Sequence, residues 1–384
     1  MLFKYRKIKY LLVGFLTIWV SFLTVESFGY EKKNPDTVEQ ANSKFFGKEL
    51  ITDGPYVFFE DGEIVIKWIY RDRLRAKVIR RDNYNIVKRK FGFEFKPEWI
   101  ETVKNPENDY KQQYHNVENL IAISDIHGQF EVMAELLQTY QVVDKDFNWI
   151  FGEGHLVILG DILDRGPKVT ESLWLIFKLE QQAKKYGGKV HVLLGNHELM
   201  VLNNDARYIN EKYVKSASVM STTYPKLFSD SNVLGKWLKQ KPVMVSINDM
   251  LFVHAGVSSE FIKRNFTIAQ TNQLFKEKII GGDWNTILND SSLTFLMDTQ
   301  GPLWYRGYFD VPIVREYQID HVLRYFDAKH IIVGHTSFPN IVTLYDGKII
   351  GIDSSIKLGS YGELLIYRNG KYIRGTSHGV LIDL

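Results

Sequence analysis

Residues 119–128 read "NLIAISDIHG": a short apolar run, Leu120 to Ile123, that gives way to Asp125 and His127. A run of this length bounded by turn residues predicts a buried β-strand. The pattern recurs outward from there as "HLVILGD" (155–161), "KVHVLLGN" (189–196), "MLFVHAG" (250–256) and "HIIVGHT" (330–336), each run ending in Gly, Asp, Asn or His. Between the first three runs lie helical patterns, "EVMAELLQTY" (131–140) and "KVTESLWLIFKLEQQAKKYGG" (168–188), the second closed by a Gly pair suited to a C-cap. Strand, helix, strand with polar residues at the strand C-termini is the α/β arrangement in which sites form at the carboxyl edge of a sheet.

The strand ends deliver Asp125 and His127, then Asp161, Asp164 and Arg165, then Asn196 and His197, then His254 and His335. Taken singly, each has a structural explanation. A strand-end histidine can be satisfied by the backbone, Asp164 and Arg165 can form an ion pair, and Asn196 with His197 can cap a helix. Together they form a set of oxygen and imidazole ligands for divalent metals. Asp-x-His places two ligands on one tight turn, Asp161 can bridge to a second ion through its other oxygen, and Asn196, His254 and His335 complete that ion. Two cations about 3.5–4 Å apart polarise a phosphoryl group and lower the pKa of a bound water, making metal-bound hydroxide the expected nucleophile. The chain has no cysteine, which excludes disulfides, thiolate metal sites, N-terminal lipidation through Cys and any Cys-nucleophile phosphatase mechanism.

The blocks "SDIHG", "GDILDRG", "GNHE", "HAG" and "GHT" resemble those of the calcineurin-like metallophosphoesterases, and "GDILDRG" with "GNHE" is similar to the phosphoprotein phosphatase branch. The likeness runs over roughly residues 119–370. Softer blocks, "NDARYI", "LGKWLKQKPVMVSIND" and "GPLWYRGYF", resemble the Shewanella-like protein phosphatases, a group associated with phosphotyrosine hydrolysis. The resemblance implies a β-sandwich flanked by helices with a dimetal site at one edge. It assigns Asp125, His127 and Asp161 to the first metal and Asp161, Asn196, His254 and His335 to the second. It makes His197 the general acid, oriented by Asp164. An imidazole near two cations and a carboxylate can be tuned for proton donation near neutral pH. Arg165 and Arg306 are the expected phosphate clamps, with Arg207 a further substrate contact. Ser124 where the branch often has Gly, "HAG" and "GHT" depart from the pattern but keep the ligand side chains. The eukaryotic C-terminal tyrosine block is not recognisable, so no catalytic tyrosine is expected. Glu198 is left undefined, either orienting a ligand or pairing structurally.

Outside these blocks, Lys4, Arg6, Lys7 and Lys9 against Glu26 account for 4 − 1 = +3, the whole formal charge of the chain. The remainder is near neutral and predicts no nucleic-acid footprint. The cationic start and "LLVGFLTIWVSFLTV" predict an export signal over residues 1–29, with an uncleaved membrane anchor as the alternative and a periplasmic or secreted location expected. Residues 30–45 read as a linker, 46–115 as an N-terminal β-rich extension with a hairpin at Asp61-Gly62, and 116–384 as the metallophosphoesterase domain. Residues 200–248 and 258–310 read as mostly helical, aromatic-rich insertions. The stretch "RDRLRAKVIRRDNYNIVKRK" (71–90) shows no catalytic constellation.

The expected activity is that of a phosphomonoesterase requiring two divalent ions (Mn, Fe or Zn) and acting on phosphorylated protein or peptide, at tyrosine. An entrance walled by Tyr208, Tyr224, Trp304, Tyr305, Tyr308 and Phe309 would favour an aryl phosphate by stacking. The alternatives are hydrolysis of a nucleotide or dinucleoside polyphosphate at the same site, and a silent binding module, which would be expected to lack a ligand or the acid. The sequence leaves oligomeric state open.

Overall fold

The computed structural model describes residues 50–384, apart from 81–87, 89–90, 93–95, 105–111 and 312. The expected export segment and linker lie outside the described residues. Residues Leu50–Leu384 form one compact unit. Among the described residues no helix is long and apolar enough to cross a membrane.

The described residues open with β1 (Thr52–Glu60) and β2 (Glu63–Tyr70), an antiparallel hairpin closed by Asp61 and Gly62 at φ 49° and 81°. Positive φ at both central residues is what a two-residue turn needs to match strand twist. β3 (Arg73–Ile79) completes a three-stranded sheet, with Arg73, Arg75 and Lys77 exposed. The inner residues Tyr56, Val57, Phe58 and Ile66 share the main hydrophobic core. After α1 (Pro97–Lys104) and the short β4 (Gln113–Tyr114) the chain alternates: β5 (Asn119–Ile123), α2 (Phe130–Thr139), β6 (His155–Ile158), α3 (Val169–Ala183), β7 (Lys189–Val192), α4 (Asn196–Leu202). Two helices follow, α5 (Glu211–Val219) and α6 (Val233–Leu238), then β8 (Met244–Ile247) and β9 (Met250–Val253). β8 is thus a strand inside the stretch 200–248 that reads as mostly helical; its four buried residues, "MVSI", are too few to show a period.

The second insertion carries α7 (Ser259–Lys263), α8 (Ile268–Leu274) running into a π-turn (Phe275–Ile279), α9 (Trp284–Asn289) and α10 (Ser291–Met297). The chain then runs through α11 (Glu316–Phe326), β10 (His330–Val333), β11 (Val342–Leu344), β12 (Ile349–Gly351), β13 (Glu363–Arg368), β14 (Lys371–Thr376) and β15 (Leu381–Asp383).

Two six-stranded sheets result, ordered β15-β14-β13-β5-β6-β7 and β11-β12-β10-β9-β8-β4. In the first, β5, β6 and β7 are parallel. In the second, β9, β10 and β12 are parallel. Strand alternation assigns the faces. Leu120, Ala122, Val157 and Leu193 of the first sheet meet Val245, Phe252, Ile332 and Ile350 of the second in one core. Their sequence neighbours Ile121, Ile123, Leu156, Ile158, Val253 and Val333 belong to the core shared with the helices. Burial on both sides is why these strands read as continuous apolar runs. The result is the expected sandwich flanked by helices, and the C-terminal ends of β5, β6, β7, β9 and β10 deliver the polar residues to one edge.

Candidate functional site

The backbone leaves each strand through a tight turn. Asp125, His127, Asp161, Asp164, Arg165 and His335 all have left-handed φ, between 46° and 70°. Such conformations are sparsely populated for residues with a Cβ and persist only where the surroundings over-determine them. Two glycines make room. A Cβ on Gly195 would collide with Asp161 and crowd the His254 ring, and one on Gly334 would collide with Ser124 and Asp125.

Asp161 lies at the centre. Its Oδ2 is 3.5 Å from His127 Nε2 and its Oδ1 3.4 Å from His254 Nε2. Its two oxygens thus belong to two clusters of ligand atoms, one with His127 and His197, the other with His254 and His335. The Nδ1 of His127 donates to the Leu163 carbonyl (2.7 Å) and that of His254 to the Leu159 carbonyl (2.8 Å). Both rings therefore turn the other nitrogen, Nε2, toward the cluster, the arrangement usual for a metal-ligating histidine. The Asn196 Oδ1 lies 3.0 Å from His254 Nε2. Asp125 Oδ2 accepts from Ser124 Oγ (2.5 Å) and from the His335 amide (3.0 Å). Hard oxygens and imidazoles converging on one shared carboxylate fit two divalent ions.

The electrostatics carry the mark of ligands packed together. Burial lowers His127 to about 3. It also lowers His335, with further repulsion from His254 and Arg306. Burial opposes the charged form of His254 too, but Asp161 and Asp125 outweigh it and raise the group to about 10. Asp125 is pushed well above the carboxylate range by burial and then by Asp353. Asp353 ends the run "KIIGID" (348–353) and is fully buried; it accepts from the Ser355 amide (3.0 Å) and the Ser337 hydroxyl. It repeats the pattern of an apolar strand ending in Asp, a signal that could have placed it at this edge.

His197 stands at the first turn of α4, its Nδ1 donating to Asp164 Oδ2 (2.6 Å) and its amide to Asp161 Oδ1 (3.0 Å). Burial opposes its charge, yet Asp161 and Asp164 raise its pKa above the ordinary histidine value. Its Nε2 is 3.4 Å from Arg165 Nη2, and its ring packs on Tyr208 with centroids 5.2 Å apart. Arg165 is exposed and lies over the Tyr208 ring at 5.4 Å. Arg306 is exposed and donates to Thr336 Oγ1 (3.1 Å), beside His335. Arg207 forks onto Asp205 through Nε and Nη2 (2.8–3.0 Å) at the surface.

Glu198 has a defined place. Its fully buried carboxylate accepts from the amides of Asp161 (2.7 Å), Ile162 (2.7 Å), Leu163 (2.9 Å) and Gly195 (2.8 Å). It therefore ties the turn after β6 to the start of α4, fixing Asp161 against His197. The expected aromatic entrance is not what the chain builds. Tyr224, Tyr305 and Tyr308 are buried, and the Tyr308 hydroxyl is engaged by Val257, accepting from its amide (3.0 Å) and donating to its carbonyl (2.9 Å). Trp304 and Phe309 are only half-buried against the core. Of the six, Tyr208 alone is more than a third exposed, at 41%. Composition counts aromatics without saying which ones the core claims.

A dimetal-type cluster at the edge of a sandwich, with an adjacent imidazole and exposed guanidinium groups, defines a phosphoester hydrolase. The chain belongs to the calcineurin-like phosphoesterase family, whose pattern matches residues 119–338. It is similar to the cold-active protein-tyrosine phosphatase of a Shewanella species, with 37% identity, a TM-score of 0.81, and 87% of this chain and 99% of that one covered. It is 28% identical over 247 residues to Shewanella-like protein phosphatase 1 of Plasmodium berghei, covering 62% of this chain and 67% of that protein. A narrower likeness, 30% over 138 residues, links it to the symmetrical bis(5'-nucleosyl)-tetraphosphatase of Vibrio campbellii, covering 35% of this chain and 44% of that protein.

Proposed function

We propose that this phosphatase hydrolyses phosphotyrosine in proteins or peptides, on a centre in which Asp125, His127 and Asp161 hold one divalent ion and Asp161, Asn196, His254 and His335 a second. The observation that carries the two-ion reading is the position of Asp161, with one oxygen in each cluster. Bound there, the ions would supply Lewis acidity and a nucleophile at neutral pH. The protein's own groups do the rest. Arg165 and Arg306 hold the phosphate oxygens from the solvent side. Asp164 keeps His197 oriented and cationic, so that its Nε2 proton can pass to the leaving oxygen. The aryl preference is supported by Tyr208, whose exposed ring packs against both His197 and Arg165, beside the place where a phenolate would leave. It is supported also by the likeness to the Shewanella tyrosine phosphatase.

A panel of phosphotyrosine peptide, phosphoserine peptide and dinucleoside tetraphosphate, assayed with metal-reconstituted protein, tests this. We expect kcat/KM for phosphotyrosine to lead by about tenfold or more, an edge of roughly 1.4 kcal/mol that one stacking contact can supply. Equal values for tyrosine and serine would end the aryl preference, and a lead for the nucleotide would move the function to the smaller substrate. The cationic, apolar N-terminus supports export, tested by the N-terminal residue of the mature protein: Tyr30 indicates cleavage after Gly29, while an intact Met1 leaves the anchor.

A further inference from the structure

We propose that Asp53, in the three-stranded N-terminal sheet, is a positioning residue for phosphate binding, acting through Lys212 on the turn that carries Arg165. The inference rests on the reading of Arg165 as a phosphate clamp.

Arg165 sits at φ 62°, on a turn whose backbone is held from one side by the segment after α4. Its amide donates to the Tyr208 carbonyl (2.9 Å), and its carbonyl accepts from Asn210 Nδ2 (2.9 Å). Two residues on, the Pro167 carbonyl accepts from Lys212 Nζ (2.8 Å) and from the Tyr213 hydroxyl (3.1 Å). The Lys212 ammonium, its side chain 15% exposed, donates to Pro167 and to Glu171 Oε1 (3.4 Å) and forms an ion pair with Asp53 Oδ1 at 3.2 Å. Asp53 has a fully buried side chain and is itself fixed by Tyr56, whose hydroxyl donates to Oδ2 (2.7 Å), and by Thr170 Oγ1 (3.2 Å). β1 is in turn anchored to the body: the Trp174 indole donates to the Pro55 carbonyl (2.8 Å), and the Phe59 amide donates to Ser231 (2.7 Å).

A buried carboxylate thus compensates an ammonium whose task is to hold a carbonyl two residues from an exposed guanidinium. A long, exposed arginine binds phosphate well only if its Cα is fixed, since the loss of rotamer freedom is then all that binding must overcome. Removing the charge on Asp53 leaves Lys212 drawn to Glu171 alone and slackens its hold on Pro167. The N-terminal β-rich extension therefore contributes to the site by geometry, through β1.

The test is a double-mutant cycle on the full chain, reading the inhibition constant of inorganic phosphate and the KM and kcat for an aryl phosphate. Asp53→Asn and Lys212→Gln should each weaken phosphate binding and raise KM by about five- to tenfold with kcat changed less than twofold, while Lys212→Arg stays within twofold of the parent. In an Arg165→Ala background the same substitutions should add less than twofold, because residues acting through one group are non-additive. Circular dichroism and thermal unfolding confirm that each variant is folded at the assay temperature, and Lys212→Gln serves if Asp53→Asn is not. Full additivity with Arg165→Ala, or a loss confined to kcat, would overturn the inference while leaving the clamp in place. An Arg165→Ala variant with unchanged phosphate affinity would overturn the clamp and the inference together.

Discussion

At the scale of single residues, the division of labour within "GNHE" can be tested one side chain at a time. His197→Asn should lower kcat by roughly 10²- to 10⁴-fold on a peptide substrate while metal content stays intact. The loss should shrink on an aryl phosphate with an acidic phenol, which needs no proton to depart. An equal loss on both substrates would mean that His197 is not the acid. Glu198→Ala should cost about 3–5 kcal/mol in denaturant unfolding, because four buried amides lose their acceptor at once. A change under about 1 kcal/mol would show that water replaces the carboxylate. Most ligands at this edge were legible in the sequence because each follows an apolar run directly. Glu198 was not, since three of its four partners are backbone amides 35–37 positions away, and amides leave no trace in composition. Asp353 follows the same kind of run, but no Asp-x-His or Asp-Arg block surrounds it to mark it as a site residue.

At the scale of elements, α3 is joined to the segment after α6 by a pair between Glu180 and Lys241 at 2.5 Å, with side chains 15% and 12% exposed. Burial raises the Glu180 pKa, but Lys241 and the Trp237 indole outweigh it and hold the group below the ordinary glutamate value. Burial pulls Lys241 down by more than Glu180 restores, so desolvation offsets much of the Coulomb attraction. Removing one partner is then worse than the pair is good: Lys241→Met should destabilise by about 3 kcal/mol. A carboxylate with a depressed folded pKa contributes stability above its unfolded pKa, near 4.3, and loses it as pH falls through the folded value. The gap between wild type and Glu180→Gln should accordingly be constant at pH 6–8 and close below about pH 4, as followed by urea unfolding. A gap that widened in acid would contradict the assignment. The strand-helix alternation and the hairpin at Asp61-Gly62 were readable because period and turn chemistry agree. The strand β8 and the buried tyrosines of 224–308 were not, because packing, rather than local pattern, decides them.

At the scale of the whole molecule, the fold gathers Asp125, Asp161, Asp164 and Asp353 at one buried edge, an arrangement that cations would stabilise in the folded state alone. Adding Mn²⁺ at about 100 times its dissociation constant should raise stability by roughly 2.7 kcal/mol per independent site, seen as a higher Tm that chelator reverses. The most direct test of the two-ion centre is the metal stoichiometry of purified, reconstituted protein and three variants, read by elemental analysis. The wild type should hold two ions per chain, Asp125→Asn and His335→Asn one each, and Asp161→Asn close to none, because its carboxylate serves both positions. Two ions retained by Asp161→Asn, or a single ion in the wild type, would contradict a shared bridging carboxylate.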